Sequence, residues 1–475
     1  MNQISGGIDS PGKETMLMKH RPVLIVITVL ALSLLCVFAG AEEETLFPAR
    51  GEDELWGYIN IRGEWVINAK FTDCVRFEHS LTVASAVNDH GVEAQGIIDR
   101  NGNWVLEPYY SIDHADYMGE LPDDDLWLIY EYGISSDGSY DWIRNGLFDE
   151  NSGFISELRD DCSICSRYSG SPLVPVHSRP DENNEGLLGY INRKTGELTI
   201  PFMYDDHNDP SLFYEGVTDV CCPENLDHDD NETAFFLIDE QGNRIQVEDG
   251  LRVLYSEPMS CGRIRVQDIA ADLYGYADKD GKLVIPAIYS GATQFRADRA
   301  QVWISETEMG LIDPDGSLIV AGDHFMFTGD ISCGYAPIQF ADKTKGWITP
   351  DGRIIENRSE AYQLYPVGKN MFWAAADQQQ TCWHLEDEDG HILSDDYSCI
   401  SAYDDLFDTM HGFCEGLTAV RNKNGLWGYL NEEGKEVIPC QWDDAWEFVH
   451  GLAYVVKDEK MAYIDCQGKI IWQEQ

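Results

Sequence analysis

Beyond residue 51 the apolar residues fall in short runs separated by polar, glycine-bearing turns, the pattern of half-buried β-strands. One segment near the start, Leu55-Trp-Gly-Tyr-Ile-Asn-Ile-Arg-Gly-Glu-Trp-Val-Ile67, is matched near the end by Leu426-Trp-Gly-Tyr-Leu-Asn-Glu-Glu-Gly-Lys-Glu-Val-Ile-Pro439. The same frame returns at Gln95–Asp99, Asn145–Asp149, Leu188–Asn192, Phe235–Asp239, Tyr274–Asp278, Met309–Asp313, Lys345–Thr349, Trp383–Asp387 and Met461–Asp465. The spacing predicts about eleven tandem copies with a mean period of about 40 residues.

The frame opens on Trp56 and Trp427 in the fullest examples, followed by a first glycine at Gly57, Gly96, Gly146, Gly189, Gly275, Gly310, Gly346 and Gly428. A second glycine follows at Gly63, Gly102, Gly153, Gly196, Gly242, Gly281, Gly316, Gly352, Gly390, Gly434 and Gly468. Its recurrence predicts a hairpin turn that needs positive φ. A third strand then runs to a proline, which is expected to stop further pairing there. Aromatic anchors follow, as Tyr289 to Phe295 and Trp442 to Phe448. A lone three-stranded meander cannot bury both faces, so neighbours must stack. The prediction is an all-β array over 51–475, of three-stranded antiparallel units stacked as a superhelix or as propeller-like rings. An open superhelix or two rings is favoured over one closed ring, because about eleven units exceed the usual 4–8 blades. Irregular insertions are expected near 113–144, 161–185 and 355–385.

These motifs resemble the WG-repeat (KWG-repeat) proteins, found mainly in bacteria, over about nine tenths of the chain. Leu55–Ile67 and Gly416–Phe448 match best. Only Trp56-Gly57 and Trp427-Gly428 are literal Trp-Gly, and Phe236, His384 and Ala462 replace the first glycine. The resemblance implies a repeat scaffold, often exported, with no established activity of its own.

The N-terminus is of another kind. Residues 22–41 carry no charge and are strongly apolar, preceded by Lys19, His20 and Arg21 and followed by Glu42, Glu43 and Glu44. A hydrophobic targeting helix is expected here. It reads either as a signal peptide cut after Ala39-Gly40-Ala41 or as a retained membrane anchor. Residues 1–21 form the cytoplasmic or signal n-region, with Met16 or Met18 as possible starts, and 42–50 a linker. Either way the array is expected outside the cell, secreted or held at its surface.

Charge narrows the partners. With 33 Lys+Arg against 84 Asp+Glu, the net charge of −51 repels phosphate backbones, so no nucleic acid is expected, and no membrane contact except through 22–41. Asp278–Gly281, Asp313–Gly316 and Glu386–Gly390 resemble calcium loops at a glance, but their glycine comes fourth and belongs to the repeat's turn. Asp227–Glu232 reads as a solvated loop. Cys162-Ser-Ile-Cys165 lacks the second pair a zinc site needs, and Cys221-Cys222 is a vicinal pair. Acidic pairs such as Asp443-Asp444 or Asp123–Asp125 are expected by chance among so many acids. No catalysis and no cofactor is expected. The reading is a scaffold binding a protein, peptide or glycan. A carbohydrate-active hydrolase and a calcium-stiffened surface element stand as alternatives. Trp127, Trp142 and Trp373, which miss the consensus positions, are the candidate exposed contacts.

Overall fold

The computed structural model describes residues 45–475, apart from 115–125, 135–139, 156, 166–170, 180–185, 206–211, 222–234, 255–258, 333, 357–362, 369, 401–402, 405–408 and 411–412. The expected targeting segment at 22–41, the n-region, Asp227–Glu232 and Asp123–Asp125 lie outside the described residues. Among those described, every named element is a strand, and no helix is long and apolar enough to cross a membrane.

The strands pair antiparallel into small sheets that follow one another along the chain. The first sheet holds Leu46–Arg50, Trp56–Asn60 and Trp65–Phe71, and the last Asp444–Val449, Leu452–Lys457, Lys460–Asp465 and Ile470–Gln473. Three strands per unit proves too few. Six sheets have four, because the segment after the aromatic anchor adds a strand to the next sheet. Gly291–Ala292, for example, pairs with Ala300–Trp303. A seven-stranded sheet arises where the 11-residue strand Trp104–His114 serves two consecutive units. Part of the expected insertion at 113–144 is a long hairpin, Leu126–Ile134 against Tyr140–Asp149. The stretches near 161–185 and 355–385 supply ordinary strands, among them Leu173–Ser178 and Met371–Ala375.

The proline does not end the third strand. Pro201, Pro286 and Pro439 lie inside Leu198–Tyr204, Leu283–Tyr289 and Glu436–Trp442. These are edge strands, so a residue without an N–H costs no ladder bond. The register shifts beside the proline, and this bulge explains the first glycine. In the last such copy Trp427 faces Trp442 and Tyr429 faces Ile438, with irregular pairing between them. A Cβ on Gly428 would stand 2.5 Å from the Ile438 carbonyl oxygen and 2.6 Å from the Cys440 nitrogen. Gly275 meets Ile285 and Ala287 in the same way. Where the glycine is replaced this bulged partner is missing, although Gly310 and Gly346 are kept opposite regular pairing. Beside Phe236 the third strand shrinks to Arg244–Ile245, His384 lies on the last strand of its sheet, and Ala462 pairs with Gln473 without the flanking shift.

Every second glycine named above, from Gly63 to Gly468, has φ between +67° and +83°. The turn is pinned by the frame's Asn or Asp. In one copy Asn431 Oδ1 accepts the N–H groups of Glu433 and Lys435, and Gly434 N–H donates to Asn431 O. The turn then rests on the preceding sheet: Gly316 on Ile285, Gly352 on Ile319, Gly468 on Ile438.

Apolar clusters join each sheet to the next. Tyr276, Ile285 and Tyr289 pack with Phe295, Ala300 and Val302, and Tyr190 and Ile200 with Phe213 and Val220. A recurring joint is the frame tyrosine. Tyr58, Tyr276 and Tyr429 are fully buried, meet Phe77, Phe295 and Phe448 edge-on at 4.8–4.9 Å, and donate their hydroxyls to Val75, Thr293 and Trp446 carbonyls. Such edge contacts add about 0.5–1.5 kcal/mol each beyond burial.

The expected open superhelix is overturned at the termini. Phe47, Ala49 and Ile59 of the first sheet share a cluster with Leu452, Met461 and Tyr463 of the last. Tyr463, the last frame tyrosine, donates to Pro48 O at 2.9 Å. Gly63 rests on Ile471 as the other turn glycines rest on their preceding sheets. Arg50 and Glu474 form a bidentate ion pair, with Nε to Oε1 at 2.6 Å. The run of sheets therefore closes on itself. It closes by side-chain packing, since each terminal sheet is built from its own end of the chain.

Candidate ligand-binding groove

Closure creates a cavity of about 660 Å³ that spans four consecutive units. Phe47 and Pro48 come from the first unit, Arg76 from the second, Trp427 from the last but one, and Asp444 to Tyr463 from the last. Between the pairs Ala445↔Val455 and Phe448↔Ala453 the strand Asp444–Val449 is irregular, and Trp446 sits there with 46% of its surface exposed. Trp446 and Tyr454 lie 4.5 Å apart between ring centroids, and Tyr463 continues the wall 5.9 Å from Tyr454. Asp444 and Glu447 supply carboxylates. Asp444 Oδ1 caps the Ala445 N–H, and Glu447 Oε2 accepts the Cys414 thiol at 2.9 Å. Burial and Glu447 push that thiol up to about 12, so it stays neutral.

The aromatics singled out in the sequence lie elsewhere. Trp127 is buried between the second and third units, edge-on to Phe148, and Trp373 is fully buried beside Trp383 and Leu385. Neither can meet a ligand. Both stand on strands whose two faces are covered, so missing the consensus does not imply exposure. Trp142 lies on Tyr140–Asp149, its side chain outside the described residues. Trp427, a repeat-defining residue, does line the groove, whereas Trp56 packs against the closure cluster. Trp446 and Tyr454 were missed. A signal existed: the residue four after the aromatic anchor is Val75 and Thr293 in other copies and Trp446 in this one.

The remaining candidates are absorbed by the fold. Asp278 caps Asp280 and Lys282, and Asp313 caps Asp315 and Ser317, each through one carboxylate oxygen, as turn chemistry requires. Asp387, Asp389 and His391 cluster at one such turn, where Asp387 caps the backbone and pairs with His391 at 2.9 Å. Asp443 accepts Asp458 N–H at 2.6 Å. Cys162 is buried, which pushes its thiol up to about 11, away from redox reactivity.

One buried ionisable group departs from the repeat. His384, in the first-glycine position, is 7% exposed, with Nε2 2.6 Å from Glu386 and Nδ1 3.4 Å from Asp396. The hydrogen bond to Glu386 raises its pKa above the ordinary 6.5, against the opposing effect of burial. Its contribution is complete below about pH 6.5 and is lost as pH rises through the folded value. Urea melts at pH 5.5 and 8.5 should show wild type losing up to about 1.5–3 kcal/mol more than His384→Gln, the worth of a charge-assisted bond. Parallel losses in both proteins would refute this.

The family model of the WG-containing repeat matches residues 56–85, 96–111, 274–302 and 427–460. The chain carries WG repeats. The fourth match covers Trp427, Trp446 and Tyr454 of the groove. No curated protein matches the chain. Among solved structures it is similar to BamB from Moraxella catarrhalis at 11% identity, covering 65% of this chain and 89% of that one, with a TM-score of 0.27. It is similar to a eukaryotic initiation factor at 10%, covering 91% and 96%, with a TM-score of 0.36. It is also similar to apo AztD from Citrobacter koseri at 11%, covering 63% and 91%, with a TM-score of 0.30.

Proposed function

We propose that this WG-repeat chain is a non-catalytic binding scaffold, a closed ring of eleven units displayed outside the cytoplasm, whose ligand site is the aromatic groove at the closure. The observation that carries the reading is the exposed Trp446 beside the half-buried Tyr454 over a cavity of about 660 Å³. An apolar concave site with a few polar groups is the usual form of a ligand pocket. Export rests on the uncharged run at 22–41 and its flanking charges. The ligand is a protein, peptide or glycan.

The test is a combined peptide and glycan array probed with the full chain in mild detergent. Specific hits should weaken about tenfold or more with Trp446→Ala, the loss of one stacking contact and its burial. A silent array, or hits indifferent to that change, would count against the groove.

A further inference from the structure

We infer that the groove takes an organic cation, presented as a lysine or arginine side chain of a basic peptide segment. This rests on the groove being the ligand site. Three features point to it.

The first is the wall. Trp446 and Tyr454 meet at 60° with centroids 4.5 Å apart, and Tyr463 stands beyond at a similar angle to Tyr454. Of these rings Trp446 is the exposed one and Tyr454 is half-buried, both border the cavity, and a ring face attracts a cation, tryptophan most strongly.

The second is charge. Asp444 and Glu447 are the carboxylates of the lining, and Arg76 is its cation. Arg76 is held by Glu78, with Nη2 to Oε1 at 2.5 Å and Nε to Oε1 at 3.1 Å. Its charge is thus offset locally, while Asp444 and Glu447 are bonded to a backbone N–H and a neutral thiol. The net charge of −51 draws cations toward the surface as a whole.

The third is size. A cavity of about 660 Å³ exceeds what one ammonium group fills, and suits a side chain with its flanking backbone. The other described cavities lack this combination. One, of about 250 Å³, is lined by Arg265, Arg296 and Asp330 and holds no aromatic ring. In the other, of about 450 Å³, Arg353 is already paired with Asp351 and Glu388.

The test uses the full chain in mild detergent with three probes: blocked hexalysine, tetramethylammonium and neutral chitohexaose. Binding is followed by tryptophan fluorescence and calorimetry at two salt concentrations. Hexalysine should bind, more tightly than tetramethylammonium, and weaken with salt. Trp446→Ala should weaken it about tenfold, and so should the double change Asp444→Asn, Glu447→Gln. The two amides keep the acceptor oxygens that hold Ala445 and Cys414, and near-UV circular dichroism checks folding of every variant. Hexalysine binding equally well to Trp446→Ala would mean general attraction to an acidic surface, and overturn the inference. If chitohexaose binds and loses affinity with Trp446→Ala while hexalysine does not bind, the groove stands and the cation falls. If no probe binds in a way that Trp446→Ala weakens, both fall.

Discussion

Gly434→Val should destabilise its unit by about 2–6 kcal/mol, the sum of backbone strain and overpacking. Gly434 has φ +75°, which a β-branched residue adopts only with strain. The added Cβ would also press on the preceding unit, reaching the Leu393 carbonyl oxygen and standing 2.7 Å from its carbon. Backbone atoms cannot rotate away as a side chain can. Lys435→Val, one residue on, should cost under about 1 kcal/mol, since valine suits the start of a strand. Both variants are compared by urea unfolding of the full chain, read by near-UV circular dichroism. Equal shifts at the two positions would remove the turn assignment. A shift at Gly434 matching strain alone, about 1–3 kcal/mol, would mean that the neighbouring unit yields.

Phe47→Ala tests closure. Phe47 is 2% exposed and packs 5.3 Å from the Tyr463 ring, although it lies in the first described strand. In a closed array this interface equals any internal one, so the change should cost about 3–5 kcal/mol, the usual loss for a buried phenylalanine. Phe213→Ala, at the joint where Phe213 meets Tyr190 at 5.0 Å, is the internal reference. The two should shift the unfolding midpoint alike. In an open stack Phe47 would cap an exposed end and its removal would cost well under about 1 kcal/mol, as for a surface site. That result would dismantle the ring and, with it, the groove between the first and last units.

The glycines show how far local information reaches. The second glycine was legible because positive φ is a property of one residue in one turn. The first was legible only as a recurrence. Its cause is the close approach of the neighbouring strand, whose carbonyl occupies the place a Cβ would take, as Ile438 does at Gly428 and Ile355 at Gly346. Proline was misread for a related reason. It forbids a donor, and whether that ends a strand depends on which edge the N–H would face, a matter of sheet order.

The candidate site follows the same division. Trp446 stands out from Val75 and Thr293 when copies are aligned, so its oddity is written in the chain. Its meeting with Tyr454 is local to one strand pair, whereas its place in one cavity with Phe47 and Arg76 depends on bringing residues roughly 400 apart in sequence together. Trp127 and Trp373 were equally odd and are buried.

The sequence alone determined the all-β character, the repeating hairpin with its positive-φ glycine, the acidic field and the apolar N-terminal run. Each is set by residues within one repeat or by simple summation. The fourth strand of most sheets, the passage of the third strand through proline, and the closure of the array were decided only in three dimensions. Periodicity states that neighbours are alike, but whether the last meets the first depends on the small rotation added at each joint. That rotation is set by inter-unit packing such as Tyr429 on Phe448, and no residue pattern within a single copy encodes its sum.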